Sequence, residues 1–232
     1  MFKSRKRFTA PVLAAVMAIG CAALLAVAAQ KANHAPRVVP EVISIGEARK
    51  MSAGAPVTVE GSVTVPSGAF KSGTHDEGFA IQDRSGGFYV RMAANLGLRV
   101  GQQVRVSGLL ADRFGELVLD PIDAHNVKAR GRGTKVRAEA VSTGRVGEAT
   151  EGRLARITGT ITKPVGNDLP YGHRIFINDG SGEVQAFVYA STRINVSNLQ
   201  PGQRVSVTGF SAQYNDHYEI IPRAQTDIRC IR

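Results

Sequence analysis

The chain has 232 residues and a formal net charge of +10, but four positive charges and no acid lie in its first ten residues, so the remainder carries +6. Residues 40–127 and 138–232 are each nearly neutral, which excludes a protein that is basic over its whole surface. The two cysteines are Cys21 and Cys230, so cleavage of an N-terminal segment that contains Cys21 would exclude an internal disulfide.

The first 28 residues are typical of an export signal. A basic stretch over residues 1–10 precedes an uncharged run over residues 11–29, and Ala26-Val27-Ala28 has the small-x-small pattern of a cleavage site. We therefore predict a signal peptide over residues 1–28 and a linker over residues 29–40. The uncharged run is also nearly long enough to cross a membrane, so an uncleaved inner-membrane anchor remains an alternative. In both cases we expect the body of the protein in the periplasm or outside the cell.

An internal repeat organises the rest of the chain. Ser44-Ile-Gly46 recurs as Ser142-Thr-Gly144, and Val59-Glu-Gly61 recurs as Ile157-Thr-Gly159. Two later segments, which contain D-R-S-G and V-R-V-S-G in the first copy, recur as D-G-S-G and V-S-V-T-G. The repeat predicts two related domains, over residues 41–127 and 138–232, joined by a basic linker over residues 128–137.

Each copy alternates apolar and polar residues, is rich in β-branched side chains and is interrupted by Gly, Asn, Asp and Ser, which favours short strands. The turn between the second and third strands is rich in Asp and Gly and suits a tight hairpin. The predicted strands are 56–65, 78–84, 87–93, 103–111 and 116–122 in the first copy, and 154–163, 173–179, 183–190, 204–212 and 217–223 in the second.

Three repeated patterns carry a family resemblance: x-V-x-G-x-V-T, G-F-x-I-x-D-x-S-G and V-G-x-x-V-x-V-x-G. They resemble the OB domains of the tRNA-anticodon-binding type, and they are also similar to exported bacterial OB-fold proteins. The resemblance covers both repeats and consists mostly of fold-forming glycines and turn residues. It implies an all-β protein of two tandem five-stranded Greek-key OB-fold barrels that follow the N-terminal signal or anchor helix, with single-stranded DNA or RNA as partner.

OB barrels bind ligands on the face of their second and third strands and on the flanking loops. In the first copy the alternation places Phe79, Ile81, Phe88 and Val90 inside the barrel, and in the second copy it places Ile175, Ile177, Val184 and Ala186 inside. The opposite parity and the basic linker supply the candidate nucleic-acid-binding residues. These are Gln82, Tyr89, Arg91, Arg113, Phe114, Lys128, Arg130, Arg132, Arg174, Phe176, Asn178, Gln185, Phe187, Tyr189 and Tyr214.

Two structural alternatives remain for these candidates. The basic linker is either a track for a polyanion or a solvated connector. Phe187 and Tyr189 either stack on a ligand or are covered by the neighbouring domain or an N-terminal segment. The alternative function is an envelope adaptor that binds another protein or a glycan through the same barrel faces. The sequence has no nucleophile elbow, phosphate-binding loop or histidine pair at metal-ligand spacing, so we expect no enzyme, no cofactor and no metal site.

Overall fold

A computed structural model describes residues 41–72 and 74–231, and it shows a nearly all-β protein that contains two closed five-stranded barrels. The predicted signal, anchor and linker over residues 1–40 lie outside this range. Within the described residues, no helix has both the length and the apolar character needed to cross a membrane.

Barrel 1 is formed by the first repeat. Its elements are β1 (Val42–Ile43), α1 (Ile45–Ala48), β2 (Pro56–Val65), β3 (Phe79–Gln82), β4 (Gly87–Val90), β5 (Gln102–Arg113), β6 (Glu116–Asp120) and β7 (Val127–Arg132). The Greek-key path runs β2-β3-β4-β6-β5, and pairing of β2 with β5 closes the barrel. The link between β4 and β6 is parallel, through Val90 and Leu119.

Barrel 2 repeats this topology. Its elements are β8 (Glu139–Ala140), β9 (Leu154–Ile161), β10 (Gly166–Asp168), β11 (Gly172–Asn178), β12 (Glu183–Tyr189), β13 (Arg204–Tyr214), β14 (His217–Ile221) and β15 (Ile228–Ile231). The path runs β11-β12-β14-β13-β9, pairing of β9 with β11 closes the barrel, and β12 and β14 are parallel.

The barrel interiors contain the residues that the alternation predicted. Phe79, Ile81, Phe88 and Val90 are fully buried in the core of barrel 1, because alternate residues of a strand point to the same face. The predicted inward residues of barrel 2 lie together in its own core. These cores and the closed strand order confirm the prediction of two tandem OB folds.

The repeated D-x-S-G turn has a structural role in both barrels. In each copy its Asp and Ser side chains accept backbone N–H groups from the S-x-G segment 36 to 39 residues earlier. These bonds tie α1 to barrel 1 and a 3₁₀ turn, Thr143–Arg145, to barrel 2. The pairs are Ile45 N to Asp83 at 2.9 Å, Gly46 N to Ser85 at 2.7 Å, Thr143 N to Asp179 at 3.0 Å and Gly144 N to Ser181 at 2.9 Å.

The segment between the barrels differs from its prediction. Residues 127–132 form β7, which pairs with β5 and so belongs to barrel 1, instead of beginning a linker at residue 128. Beyond Val127 every residue of β7 is exposed. An edge strand of this kind has no buried apolar face, so it carries none of the alternation by which the other strands were predicted.

The two barrels pack directly on each other. An apolar cluster joins them, and the backbones of Gly87 and Gly152 approach so closely that a Cβ on either would overlap the carbonyl oxygen of the other. Arg49 of barrel 1 forms an ion pair of 2.7 Å with Glu151, whose side chain is 1% exposed. The apolar cluster consists of Val65, Phe70, Ala80, Tyr89, Val118, Phe210, Ala212 and Ile221.

Candidate functional site

A cleft of about 400 Å³ lies between the barrels, and we call it the interbarrel cleft. It is bounded by the outer face of β11 and β12, by the β5–β6 and β13–β14 hairpins, and by the loop between β2 and β3. Its aromatic lining residues are Tyr89, Phe114, Tyr171, Phe187, Tyr189 and Tyr214, and its charged ones are Asp76, Arg91, Arg113, Glu116, Asp168, Arg174, His217 and Glu219.

The exposed Phe and Tyr side chains of the described residues converge on this cleft. Among the described residues, every Phe or Tyr side chain that is more than a third exposed lines it: Phe114 at 51%, Tyr171 at 53% and Tyr214 at 48%. Single exposed apolar side chains are common on protein surfaces, whereas exposed rings grouped around one cleft mark that cleft as the candidate binding surface.

The two hairpins that bound the cleft contact each other at their turns. The N–H of Asn215 donates to the carbonyl oxygen of Phe114, and the rings of Phe114 and Tyr214 lie 5.4 Å apart. Phe114 has a φ of 57°, which is uncommon for a bulky residue. A strained backbone that presents an exposed ring points to a functional surface.

The floor of the cleft contains rings that are largely buried. Phe187 is 8% exposed and meets Tyr189 edge-on at 4.9 Å, while Tyr189 stacks on Phe70 of barrel 1 at 5.0 Å. Tyr89 donates to Asp76, and burial together with that carboxylate raises the pKa of Tyr89 well above its usual range. Packing by barrel 1 thus holds the floor in place.

Two glutamates lie beside these rings. Glu219 is 5% exposed and accepts from Nε2 of Gln185 at 2.7 Å. Burial, with Glu151 and Glu219 nearby, raises the pKa of Glu116 well above its usual range. Oε1 of Glu116 is buried and has no hydrogen-bond partner among the described residues. A hydrogen bond to Glu219 raises the pKa of His217, which favours the imidazolium beside the carboxylates.

Arginines form the rim of the cleft. Arg91 and Arg113 both pair with Asp120, at 3.1 and 3.0 Å, and Arg174 lies 3.9 Å from Asp168. The guanidinium groups are a third to a half exposed, so they can exchange these partners for an anionic ligand. Acids and bases are nearly balanced in the cleft, with carboxylates on the floor and arginines on the rim.

A second depression continues the cleft along barrel 2. It shares Gln185 and His217 with the interbarrel cleft and extends to Phe176. Nζ of Lys163 lies 4.3 Å from the centre of the Phe176 ring and also pairs with Glu183. The outer face of β11 and β12 is therefore lined by ring, amide and cationic groups along its length.

The structure brings most of the predicted site residues together. Gln82 does not line the cleft. Its side chain lies in the contact between the barrels and accepts from the backbone N–H of Leu154 at 2.8 Å. Phe176 lines the second depression, and Asn178 lies at the far end of β11, where it caps Gly180. Lys128, Arg130 and Arg132 lie on β7, outside the cleft lining. The predicted site residues that line the interbarrel cleft are Tyr89, Arg91, Arg113, Phe114, Arg174, Gln185, Phe187, Tyr189 and Tyr214.

Several cleft residues were absent from the prediction. Glu219 is opposite Gln185 in the parallel β12–β14 pair, and alternation around the inward Ile220 could have placed it outward. Alternation around Leu117 and Leu119, which pack in the core of barrel 1, could likewise have placed Glu116 outward, whereas Asp76 lies in a loop and carries no such signal. Among the described residues, no group of three or more His, Cys, Asp or Glu side chains is arranged to hold a metal ion.

Comparisons with known proteins found similar folds but no matching family. No family model and no curated protein matches the chain. An OBody bound to hen egg-white lysozyme is 14% identical, with a TM-score of 0.34, and the match covers 42% of this chain and 98% of that one. A murine DNA-binding protein bound to double-stranded DNA is 11% identical, with a TM-score of 0.40, over 72% of this chain and 90% of that one.

A replication protein A heterotrimer bound to single-stranded DNA is 13% identical, with a TM-score of 0.33, and the match covers 42% of this chain and 83% of that one. The fold assignment rests on strand order and closure within each barrel. By these criteria the described chain is a protein of two tandem OB folds.

Proposed function

We propose that this protein is a non-catalytic binding protein that takes single-stranded nucleic acid into the interbarrel cleft. The observation that carries the proposal is the convergence of Phe114, Tyr171 and Tyr214, the exposed Phe and Tyr side chains of the described residues, on that cleft. Stacking of a base on such a ring contributes about 1–3 kcal/mol and tolerates any base.

The charge arrangement sets the orientation of the strand. Carboxylates on the floor repel phosphates, whereas the N–H groups of bases can donate to them. Arg113 and Arg174 at the rim attract phosphates. The strand therefore binds with its bases inward and its backbone along the rim.

The path of the strand follows the outer face of β11 and β12. Four cross-strand rows, from Gly172 with Tyr189 to Asn178 with Glu183, span about 20 Å of this face. Such a length accommodates about four nucleotides, at the lower end of the range for one OB fold. Lys128, Arg130 and Arg132 lie outside this path, so we assign to them long-range attraction of the polyanion and no direct contact with bases.

We also propose that the protein is exported by the signal over residues 1–28 and acts in the periplasm or outside the cell, with retention by an uncleaved anchor over residues 11–29 as the alternative. N-terminal sequencing of the protein recovered from fractionated cells distinguishes these cases. A mature chain that begins near Ala29 supports cleavage, an intact chain in the membrane fraction supports the anchor, and an intact chain in the cytoplasm contradicts export.

Fluorescence anisotropy with labelled single-stranded DNA, single-stranded RNA and duplex, over a series of salt concentrations, tests the binding function. We expect single strands to bind more tightly than duplex and to weaken as salt rises, because phosphate contacts release counterions. Tyr171→Ala and Tyr214→Ala should each weaken binding about fivefold or more. Ile122→Ala is the matched control, since Ile122 is 83% exposed and lies outside the cleft lining.

Retention of wild-type affinity by the Tyr171→Ala/Tyr214→Ala double variant would contradict the proposed site. Absence of binding at low salt would contradict the function. The second candidate, an adaptor for a glycan or an envelope protein, is favoured by the near-neutral cleft, because sugar hydroxyls donate to carboxylates and sugar rings stack on aromatic side chains. A panel of oligosaccharides tests it with the same variants.

A further inference from the structure

The floor of the interbarrel cleft presents carboxylate oxygens that the fold leaves without partners. Glu116 makes no side-chain hydrogen bond among the described residues, and its Oε1 is buried. Glu219 uses Oε2 to accept from Gln185, which leaves its second oxygen available. An unsatisfied buried acceptor costs stability, and a donor from a ligand would recover that cost.

Both glutamates are fixed in position by their strands. Glu116 opens β6 directly after the turn that exposes Phe114, and Glu219 lies in β14 opposite Gln185 of β12. A base that stacks on the aromatic walls of the cleft thus has its hydrogen-bonding edge directed toward carboxylates. Single-stranded bases are commonly recognised through this edge, because pairing does not occupy it.

Among the described residues, Glu116 makes no side-chain hydrogen bond and Glu219 has one oxygen without a hydrogen bond, so the two glutamates together present two acceptors and match a base that offers two adjacent donors. Guanine does so, with N1–H and the N2 amino group side by side. Cytosine and adenine place their amino group beside an acceptor nitrogen, and thymine and uracil place a single N–H between two carbonyl oxygens. These two arrangements give one favourable contact and at least one repulsive contact with a pair of acceptors.

We propose that Glu116 and Glu219 make the cleft selective for guanine within a single strand, through the N1–H and N2 amino donors. The inference rests on the proposed nucleic-acid-binding function and specifies the base that the same site prefers. Stacking on Tyr171 and Tyr214 supplies affinity for any base, and the carboxylates add discrimination at one position.

The test compares thymidine octamers that carry one central dG, dI, dA, dC or dT. Inosine retains N1–H but lacks the N2 amino group, so the comparison of dG with dI removes one donor and leaves the stacking surface almost unchanged. We expect the dG octamer to bind the wild-type protein about tenfold more tightly than the dI octamer. Octamers are too short and too poor in guanine to form four-stranded structures.

The variants assign the selectivity to the carboxylates. In Glu116→Gln and Glu219→Gln an amide nitrogen replaces one acceptor oxygen, and the affinity ratio of dG to dI should fall toward one in at least one of them. Glu60→Gln is the matched control: Glu60 is a partly buried carboxylate paired with Arg105 on the outside of barrel 1, so its ratio should stay at the wild-type value.

Three outcomes separate the two proposals. If no octamer binds, the nucleic-acid-binding function itself is wrong. If all octamers bind with equal affinity for dG and dI, the function stands and the guanine selectivity is overturned. If dG is preferred but both glutamine variants keep the full ratio, the assignment to these carboxylates is overturned.

Discussion

At the residue scale, Glu116 combines a position in the lining of the interbarrel cleft with a cost to the fold. Burial, with Glu151 and Glu219 nearby, raises its pKa well above the ordinary glutamate value. The folded state therefore binds the proton more tightly than the unfolded state, and stability falls as the pH rises from the unfolded pKa of about 4.3 through the higher folded pKa. This cost is the expected signature of a binding residue.

We expect Glu116→Gln to raise the free energy of unfolding at pH 7 by about 1 kcal/mol. The amide keeps the shape of the side chain and removes the buried charge. The gain should shrink as the pH falls toward 4, where Glu116 is largely protonated in both states of the wild type. Urea unfolding at pH 7 and pH 4 measures both values.

Glu183→Gln supplies the control of opposite sign. Hydrogen bonds from Lys163 and Thr162 lower the pKa of Glu183, so its charge favours the folded state at neutral pH. This variant should lose stability at pH 7, and the loss should disappear as the pH falls through the lowered pKa. A loss of stability at pH 7 in Glu116→Gln as well would show that the Glu116 carboxylate is satisfied in the fold.

The sequence predicted individual site residues only as far as strand parity reached. Arg174 and Phe187 lie on the outer face of barrel 2 as predicted, because alternation fixes the side on which a strand residue lies. Parity does not distinguish an outward residue that meets a ligand from one that meets another barrel. Gln82 and Leu154 illustrate this, since their hydrogen bond is a contact between domains.

At the element scale, the repeated D-x-S-G turn stabilises each barrel by anchoring the segment that precedes it. In barrel 2, Asp179 accepts hydrogen bonds from Ser181 and Thr143, through a side-chain hydroxyl and a backbone N–H of each, and these bonds hold its pKa far below the usual range. The charged form is therefore favoured by folding. Its contribution is present above the unfolded pKa of about 3.9 and is lost as the pH falls through the lower folded pKa.

We expect Asp179→Asn to lower the Tm at pH 7, because the amide presents one acceptor where the carboxylate presents two. The difference in Tm from the wild type should be constant above about pH 4 and should shrink at lower pH. Thermal unfolding followed by circular dichroism at several pH values measures it. Asp216→Asn is the control, since the Asp216 side chain is 97% exposed, and an equal change in both variants would contradict the anchoring role.

The ten principal strands could be predicted from sequence, whereas the short flanking strands could not. β2 spans Pro56–Val65 as predicted, and the other principal strands differ from prediction by a few residues at their ends. The strands β1, β7, β8, β10 and β15 carry few buried residues, so they lack the alternation that reveals a half-buried strand. Their pairing depends on a neighbour that only the folded barrel provides.

At the scale of the whole molecule, the two barrels together line one cleft. The face of β3 and β4 in barrel 1 is covered by barrel 2, where Tyr89 meets Phe210 at 5.8 Å. Barrel 1 covers the corresponding face of barrel 2 at Tyr189, which stacks on Phe70, and the face forms the floor of the cleft. The repeat in the sequence indicated two equivalent domains. Their outward residues could not show that barrel 2 would cover the face of β3 and β4 in barrel 1.

The closeness of Gly87 and Gly152 makes this arrangement testable without altering the cleft lining. A Cβ on Gly87 would overlap the carbonyl oxygen of Gly152, so an alanine forces the barrels apart, while a negative φ at Gly87 leaves the backbone itself unstrained. Separation also weakens the ion pair between Arg49 and Glu151, which leaves a buried charge without its partner.

We expect Gly87→Ala to lower the free energy of unfolding by about 2 kcal/mol or more and to weaken nucleic-acid binding, because the walls of the cleft belong to different barrels. Gly147→Ala is the matched control: its φ is also outside the left-handed region, and its Cβ would lie 4.0 Å from the nearest atom. Urea unfolding and anisotropy on both variants measure the two effects. If Gly87→Ala loses stability but binds single strands as the wild type does, barrel 2 alone forms the binding site and barrel 1 serves only to stabilise it.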